Sequence, residues 1–579
     1  MFPAFSKNDW LHLLLLLIWT LLGLGLRFTN LMEKPLWADE FSTIVFSLGN
    51  SFLSVPLDEA LTAQQLLSPL VPNPQANIRA VVDHLFDESN HPPLYFILSH
   101  FWFKLFPTED GLVTALWARS LSALFGTMTI GATFVLARMA FRSSVVGQIA
   151  AAFMAVSPFG IYLAQEARHY TLAILWAIVS LYCMVRAAQT IHNRIPLPLS
   201  ICVIWIVANA LGVATHFFFC LTLAAEAISM GSLGLREWRR GINLYAVYWQ
   251  RIWAVAAGTF VTCLVWIPLL PKLSNNELTH WIYKGSRSGL DWLDPILQAI
   301  AGWITMLYLL PIQSESRLVA IVSGILLIVL AIWTIPKLWR GLKQLYNRDE
   351  ERFTVYVLVS FVGAAIFLFF AIVYFGSIDL TKAFRYNFVY FHAVIVLVGG
   401  GLASAWNDTT KIVQSQIHWL RLFSISGRQT VILIWLVSLL GGLSVVTNLG
   451  YQKTHRPDVV AATIRQESQG TVLIAIPHYH HGQTGRLMGI ALQLQQNKCE
   501  GKPLNPLFLL AHQTQNPLSA LTTLNQSLTQ LPHPLDLWLV NFQQVPEQPL
   551  NTLLVQQSCA TSDQAHSIDG YRYQLYHCF

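Results

Sequence analysis

Residues 36–41 read Leu36-Trp37-Ala38-Asp39-Glu40-Phe41 and lie about ten residues beyond an apolar run, Leu11–Leu26. With its flanks this run is long enough to span a membrane, and no small-residue cleavage site follows it, so we expect an uncleaved first span. Ionisable groups near membrane depth are costly and are usually kept for function. A carboxylate at this point can ionise and can also meet a lipid-borne substrate. The position therefore predicts chemistry at the membrane surface rather than transport through its middle.

The composition is that of a polytopic membrane protein. The 579 residues are 54% hydrophobic and 11% charged, with a mean hydropathy of +0.49, whereas a soluble domain carries about a quarter charged residues. The net charge is +6, and basic residues gather in short loops such as Arg236–Arg240 and Lys337–Arg352. That distribution indicates positive-inside topology and not a nucleic-acid partner.

Apolar segments of about 20 residues predict eleven membrane spans. They lie near residues 9–29, 116–137, 145–164, 169–187, 198–215, 217–235, 252–270, 318–336, 353–375, 384–405 and 429–448. The shorter apolar runs 92–106 and 295–312 are predicted to be re-entrant or interfacial, because only then do all the basic loops face the cytoplasm. We therefore expect a cytoplasmic N-terminus and a membrane domain over residues 1–449. Its first extracytoplasmic loop is predicted at 30–115.

The tail, residues 450–579, is long enough for a small extracytoplasmic domain. Apolar runs predict buried strands and the segments between them predict helices, which together indicate an α/β layer domain. The strands are predicted at 472–476, 507–510 and 537–540, and the helices near 457–468 and 517–530. In an oxidising compartment one pair among Cys499, Cys559 and Cys578 could form a disulfide, and their spacing favours no pair.

Unusual polar residues fall on the outer side of this predicted membrane. They are Asp39, Glu40, His91, Glu166, Arg168, Tyr170, His216, Lys382, Arg385 and Tyr386. One carboxylate can act as a general base on an acceptor hydroxyl or amine. Arginines and a histidine on the same side can bind a phosphate and stabilise its charge as it leaves. The set predicts glycosyl transfer from a polyprenyl-phosphate sugar, which needs no nucleotide-binding glycine loop.

Each of these residues also has a purely structural interpretation. Asp39 could cap the helix that follows it, and the prolines after His91 suit the start of a helix. Arg168 and Arg385 could be interfacial anchors that reach the lipid headgroups. His216 could be a packed turn residue.

The order and spacing of the motifs resemble the GT-C membrane glycosyltransferases. The nearest type is glycosyltransferase family 39, with protein O-mannosyltransferases and lipid A aminoarabinose transferases as relatives. The likeness covers roughly residues 1–225 and, more loosely, the start of a late span. Its motifs are Asp39-Glu40, His91-Pro92-Pro93-Leu94-Tyr95, Ser157-Pro158, Gln165-Glu166-Ala167-Arg168-x-Tyr170 and Arg385-Tyr386.

The resemblance implies a GT-C fold, here with juxtamembrane helices over 50–106, and an inverting transfer from a lipid-phosphate sugar on the extracytoplasmic face. Asp39 matches the catalytic carboxylate, with Glu40 beside it, and the positions of His91, Arg168 and Arg385 match residues expected near the donor phosphate. No segment resembles the MIR domain of eukaryotic protein mannosyltransferases. The chain ends in its own α/β tail instead, which favours an enzyme of the bacterial inner membrane and leaves a lipid, glycan or protein acceptor open.

The motif His478-Tyr479-His480-His481 follows a predicted strand, and histidines two apart on a strand share a face that could hold a metal. No nearby cysteine or carboxylate completes the ligand set, so an exposed loop at the strand end is the favoured interpretation. The resemblance allows a divalent metal near the membrane site, although the sequence assigns no residues to it and no cofactor is predicted with certainty.

The sequence thus predicts a hexosyl- or pentosyltransferase. The main alternative is a transporter or flippase of lipid-linked glycans. Transporters keep their polar groups near the bilayer midplane, often in matched repeats, and no internal repeat is evident here. A receptor whose tail binds a ligand is a third class, for which eleven spans would be excessive.

Overall fold

The computed structural model describes residues 7–269, 282, 287–376, 378–407, 426–451, 455–496, 504–561 and 564–579. These residues form two compact units. The first unit is helical and consists of the described residues within Met1–Asn30, Arg119–Ser274 and Thr279–Gln452. The second unit contains the sheet and consists mainly of those within Leu31–Ala118 and Lys453–Phe579.

Helices make up most of the described chain. They are α1 (Lys7–Phe28), α2 (Ala38–Ser47), α3 (Ala63–Leu67), α4 (Ile78–Glu88), α5 (Leu94–Phe103), α6 (Ala115–Phe141), α7 (Ser144–Val156), α8 (Pro158–Ala164), α9 (Tyr170–His192), α10 (Leu199–Thr215), α11 (Phe219–Trp238), α12 (Val247–Leu264), α13 (Asp294–Leu307), α14 (Arg317–Tyr346), α15 (Asp349–Phe375), α16 (Phe388–Asn407), α17 (Gly427–Val446), α18 (Pro457–Glu467), α19 (His481–Gln496), α20 (Ser519–Gln530) and α21 (Glu547–Gln556). Two short 3-10 helices, Leu380–Lys382 and Phe384–Asn387, precede α16.

The predicted multi-pass helical fold is confirmed. Among the described residues, α1, α6, α9, α14, α15, α16 and α17 give seven helices long and apolar enough to cross a membrane. The pair α7 and α8, bent by 55°, makes an eighth if it is one span. The predicted spans 198–215, 217–235 and 252–270 are also helices, α10 to α12, but they are shorter or less apolar. All eleven predicted spans therefore correspond to helices. Seven or eight of these are long and apolar enough to cross a membrane.

The two short apolar runs form helices too short to span a bilayer, as predicted. α5 has 10 residues and α13 has 14, whereas a span needs about 20. The predicted juxtamembrane helices over 50–106 are also present, as α3, α4 and α5.

The bend between α7 and α8 follows from two adjacent residues. Pro158 has no N–H with which to continue α7, so α7 ends at Val156 and Pro158 opens α8. Ser157 caps α8: its hydroxyl accepts a hydrogen bond from the Gly160 N–H at 3.2 Å and donates one to the Met306 carbonyl at 2.7 Å. Pro158 therefore sets the position of the break, and Ser157 joins the break to α13 through the Met306 carbonyl.

Arg27, at the end of α1, occupies this bend. Its fully buried guanidinium donates to the carbonyls of Met154 and Ala155, each at 3.0 Å, and to that of Gly23 at 2.9 Å. The carbonyls at the end of a helix have no intrahelical partner and carry partial negative charge, which a guanidinium satisfies. A Cβ at Gly126 would lie 2.8 Å from Cβ of Ala164 and 3.2 Å from Nε of Arg27, so the close packing at this position needs glycine.

The second unit is built on a seven-stranded sheet of order β1-β3-β2-β4-β7-β5, with β6 paired to β7. The strands are β1 (Ala60–Thr62), β2 (Thr471–His478), β3 (Leu507–His512), β4 (Leu535–Val540), β5 (Cys559–Ala560), β6 (His566–Ile568) and β7 (Tyr571–Cys578). β2 pairs in parallel with β3 and β4, and the other pairs are antiparallel. The continuous burial of β2 is typical of a parallel strand covered on both faces. The strands and helices predicted for the tail are all present.

The edge strand β1 comes from the predicted first loop and pairs with β3 of the tail. Asp58 reinforces the join, because its N–H donates to the Leu510 carbonyl at 3.0 Å. The Asp58 carboxylate also accepts from the His512 N–H and from the Thr523 hydroxyl, each at 2.8 Å. The first loop therefore contributes to the same sheet as the tail.

The compact units thus divide the chain differently from the predicted domains 1–449 and 450–579, because 31–118 belongs with the tail. The physical reason is that a strand of three residues has too little sequence to reveal its partner. Cys559 and Cys578 form a disulfide between β5 and β7, which is one of the pairs that the sequence left open. Cys499 lies outside the described residues.

Candidate functional site

Asp39 and Glu40 lie in the first turn of α2, which Trp37 precedes as the N-cap residue. Glu40 is fully buried, and its carboxylate accepts a hydrogen bond from the Trp37 N–H at 3.4 Å. That bond ties Glu40 to the start of its own helix. Asp39 is half-buried and is not the cap residue, so the capping role considered for it falls to its neighbours. Of the two carboxylates, Asp39 is the one accessible to a substrate.

The start of α2 is also held by a residue of the tail. The Ala38 N–H donates to Nδ1 of His455 at 3.3 Å, and the His455 ring lies edge-on to Trp37 with 5.7 Å between centroids. The first N–H groups of a helix lack intrahelical partners, so this acceptor stabilises the turn that carries Asp39. Arg486 of α19 adds a cation whose charge interacts with Asp39. Neither His455 nor Arg486 was predicted as a site residue, since neither stands in a motif.

His91 precedes α5 and packs against Phe96 of that helix. Its Nδ1 is 3.0 Å from the Ser89 hydroxyl, and its ring lies 6.1 Å from that of Phe96. Phe96 in turn meets Phe46, in the last turn of α2, at 6.5 Å. Phe96 thus links His91 to the last turn of α2, whereas Asp39 lies in its first turn. The helix start predicted after the two prolines is present as well.

In the first unit, the segment 165–169 joins α8 to α9 and carries two buried charged side chains. Glu166 and Arg168 are each 2% exposed. The Gln165 amide donates to the Thr29 carbonyl at 2.9 Å, and the Arg168 carbonyl accepts from the Ser122 hydroxyl at 2.7 Å. These bonds hold the segment against the residues just after α1 and against α6.

His216, in the turn between α10 and α11, packs against this segment. Its ring lies 4.5 Å from that of His169 and 5.4 Å from that of Tyr170. On its other side it lies 6.4 Å from the ring of Tyr386. Its Nδ1 accepts a hydrogen bond from the Phe218 N–H at 3.0 Å. A neutral ring therefore carries its proton on Nε2 and presents an N–H donor there.

Arg168 and Arg385 provide the positive charge around this histidine. Both guanidiniums are on buried residues, and burial, together with the charges of Arg168 and Arg385, lowers the pKa of His216 to about 3. His216 is therefore neutral at physiological pH, and the two arginines hold the charge. We call Arg168, Tyr170, His216, Arg385 and Tyr386 the arginine–histidine cluster. Its planar guanidiniums and neutral N–H donor suit an oxyanion such as a phosphate.

The segment before α16 brings Arg385 and Tyr386 into this cluster. Asp379 anchors it through a buried ion pair with Arg287, at 3.2 Å. Arg385 and Tyr386 are buried, whereas Lys382 is exposed. The structure thus unites five of the predicted site residues in the cluster and places Glu166 in the same segment as Arg168.

Two tyrosines that sequence analysis missed adjoin the cluster. Tyr162 of α8 interacts electrostatically with Glu166 and Arg385 and stacks on Tyr451, with 4.4 Å between centroids. The Tyr451 hydroxyl donates to that of Thr305 at 2.6 Å. Tyr451 has φ of +52°, a conformation that bulky residues rarely adopt away from special sites. Aromatic residues at span ends are too common for the sequence to have marked either one.

The histidine motif of the tail forms a turn between a strand and a helix. β2 ends at His478 and α19 begins at His481. Nε2 of His478 is 3.0 Å from the Thr484 hydroxyl, and its ring is 6.4 Å from that of His512. Within the described ranges, no group of three or more His, Cys, Asp or Glu side chains is arranged to hold a metal ion.

Comparison with known proteins gives distant structural likenesses. No family model matches this chain, and no curated protein matches it. The chain is similar to ArnT from Cupriavidus metallidurans bound to undecaprenyl phosphate, with 14% identity and a TM-score of 0.48 over 98% of each chain. Against the apo state of ArnT the values are 12% and 0.49, over 96% of this chain and 97% of ArnT.

A second similar structure is the archaeal oligosaccharyltransferase AglB from Archaeoglobus fulgidus, in complex with an inhibitory peptide and a dolichol-phosphate. The identity is 12% and the TM-score is 0.46, over 98% of this chain and 74% of AglB.

Proposed function

We propose that this chain is an inverting glycosyltransferase that moves a hexose or pentose from a polyprenyl-phosphate carrier to a lipid, glycan or protein acceptor at the extracytoplasmic membrane face. The observation that carries the proposal is the arginine–histidine cluster, in which Arg168 and Arg385 flank the neutral N–H donor of His216. Both arginines stand where membrane helices begin, Arg168 before α9 and Arg385 before α16. A phosphate on a lipid carrier reaches such a position from the bilayer.

In the proposed reaction, an acceptor hydroxyl or amine attacks the anomeric carbon of the sugar while the Asp39 carboxylate takes its proton. The bond between that carbon and the phosphate oxygen breaks, and its electron pair stays on the polyprenyl phosphate. Arg168 and Arg385 stabilise the charge that develops there, and His216 donates a hydrogen bond without losing its proton. Attack on the face opposite the leaving phosphate inverts the anomeric configuration.

The remaining predicted residues receive supporting roles in this proposal. Glu40 maintains the first turn of α2, and Glu166 accompanies Arg168 in the 165–169 segment. The polar side chains proposed to contact donor or acceptor are His91, Tyr170, Lys382 and Tyr386.

The disulfide supports an extracytoplasmic tail. Cys559 and Cys578 are bonded, and structural disulfides persist in oxidising compartments rather than in the cytoplasm. We accordingly propose a multi-pass protein of the bacterial inner membrane with its N-terminus in the cytoplasm and the unit that carries Asp39 outside.

A broken helix such as α7–α8 is also a feature of transporters, which use the freed backbone groups to bind substrate. Here Arg27 already occupies the Met154 and Ala155 carbonyls. Another buried polar group of the bundle, Glu226, accepts from the indole N–H of Trp205 at 3.2 Å. Because these groups have partners within the protein, they favour a scaffold role over a transport path.

The test compares the lipid-linked sugars in membranes of cells with the native chain, without it, and with Asp39→Asn. Asp83→Asn is the matched control, because Asp83 is an exposed carboxylate of α4 in the same unit. Sugars on undecaprenyl and dolichyl phosphate are the first lipids to analyse. We expect one lipid-phosphate sugar to accumulate without the chain and with Asp39→Asn, but not with Asp83→Asn.

If only the deletion changes the lipids, Asp39 is not the base and the proposed mechanism fails. If the deletion leaves every lipid-linked sugar unchanged, transfer from such a carrier is ruled out and transport becomes the leading function.

A further inference from the structure

Helix α19 of the tail packs directly on the start of α2. A Cβ at Gly485 would lie 3.1 Å from Cα of Ala38 and 3.3 Å from its carbonyl oxygen, so the two backbones pack closely at this point. One turn earlier in α19, the ring of His481 lies 5.7 Å from that of Phe46. The two helices therefore run antiparallel, and Gly485 lies against the N-terminal end of α2.

This crossing places Arg486, the next residue of α19, beside Asp39. Burial lowers the pKa of Arg486, whereas the nearby Tyr571 and Asp39 raise it. Asp39 is thus the carboxylate whose charge acts on this guanidinium. Among the described residues, no carboxylate oxygen lies within 4.0 Å of the Arg486 guanidinium, so its charge is not already neutralised by a closer carboxylate.

The position of Arg486 is itself fixed by β7. The Tyr571 hydroxyl donates to the Arg486 carbonyl at 3.1 Å, and a Cβ at Gly489, one turn along α19, would lie 3.5 Å from the same hydroxyl. A helix held in this way by a strand presents its side chain at a constant place. An arginine remains charged under all physiological conditions.

We infer that the tail takes part in the reaction: α19 supplies Arg486 as a positioning residue that holds the Asp39 carboxylate oriented toward the acceptor. This inference rests on the proposed function and gives the C-terminal α/β fold a role in it. Arg486 acts through Asp39 and does not contact the reacting atoms.

The test uses full-length Arg486→Gln, Arg486→Lys, Asp39→Asn and the double variant Arg486→Gln/Asp39→Asn in membranes. The substrate probe is the lipid extract of cells that lack the chain, supplied at limiting and saturating amounts. We expect Arg486→Gln to slow transfer about 100-fold even at saturating donor, as misplacement of a catalytic group does. Arg486→Lys restores the charge and should recover most of the rate.

Arg465→Gln is the matched control. Arg465 also contacts α19, by donating to the Leu494 carbonyl at 3.0 Å, so its loss loosens the helix without removing a charge beside Asp39. If Arg486→Gln is no slower than Arg465→Gln, or if lysine gives no recovery, the inference is wrong.

Unfolding temperatures of the four variants in detergent provide a readout that does not depend on activity. We expect the effects of Arg486→Gln and Asp39→Asn to be non-additive, because residues whose charges interact show a coupling energy. Strict additivity would overturn the pairing. If Asp39→Asn transfers at the native rate, the proposed role of Asp39 as the base fails, while the coupling still decides whether Arg486 and Asp39 interact.

Discussion

At the scale of single residues, His216 provides a hydrogen-bond donor to the cluster, whereas Arg168 and Arg385 provide its positive charge. His216 has its Nδ1 occupied by the Phe218 N–H, so it contributes one directed N–H and no charge. Arg168 and Arg385 keep their charge at every physiological pH. A phosphate held by such a group gains hydrogen bonds without taking a proton, which suits a leaving group that must depart as an anion.

Arg385→Gln tests the phosphate role. Removing one preorganised donor to a developing oxyanion slows catalysis by about 100- to 1,000-fold, and we expect a loss of that size in transfer by membranes of matched protein content. Arg317→Gln, at the exposed start of α14, should keep the native rate. A folded Arg385→Gln protein with native activity would exclude this arginine from the phosphate site.

His216→Gln tests the protonation state. The unfolded chain binds a proton at His216 below its ordinary pKa of 6.5, whereas the folded chain does so only near pH 3. The unfolded state therefore gains protons first, and stability present above pH 6.5 is lost as the pH falls. This group alone should cost about 2 kcal/mol at pH 5. Thermal unfolding at pH 7 and pH 5 should show a smaller loss in His216→Gln, and equal losses would contradict a neutral buried ring.

At the scale of elements, the bend between α7 and α8 determines where the 165–169 segment begins. The Ser157-Pro158 pair is readable in the sequence as a helix break. Its support by Arg27 is not readable, because Arg27 ends a different helix and looks like an ordinary interfacial anchor. Only the fold shows that its guanidinium serves the carbonyls of Met154 and Ala155.

Arg27→Met is expected to destabilise the bundle by about 2–5 kcal/mol, because each buried acceptor that loses its donor costs about 1–3 kcal/mol. The unfolding midpoint of the purified protein in detergent measures the effect. The exposed Arg138 lies in the last turn of α6 and provides the control variant Arg138→Met, which should unfold close to the native midpoint. Equal midpoints for the two variants would show that Arg27 does not support the bend.

The elements that could be predicted from the sequence are those whose pattern lies within a short stretch of the chain. A short stretch of sequence is enough to predict the continuous apolar runs of β2, β3 and β4 and the long apolar helices. It is not enough for β1, because the three residues of this strand are defined only by their pairing with β3. The same holds for Arg486, an arginine in a polar helix, whose relation to Asp39 exists only through the close approach at Gly485.

At the scale of the whole molecule, the chain was predicted to divide once, near residue 449, and instead the segment 31–118 shares a unit with the tail. Hydropathy separates membrane helices from polar segments, but it carries no information on which polar segments fold together. The motif residues were found because their order along the chain is informative. Asp39, Glu40 and His91 belong to one unit, and the arginine–histidine cluster belongs to the other.

The disulfide makes the orientation of the sheet-containing unit testable. Cys559 and Cys578 lie 19 residues apart, and closing a loop of this size stabilises a fold by about 3 kcal/mol, so a cytoplasmic location that kept both thiols reduced would weaken the sheet. We expect a membrane-impermeant maleimide, applied to spheroplasts, to label the peptides that contain these cysteines only after mild reduction, as mass spectrometry can quantify. Labelling that needs disruption of the membrane instead would place the unit in the cytoplasm. Asp39 would lie there too, and its role in transfer on the extracytoplasmic face would fall with it.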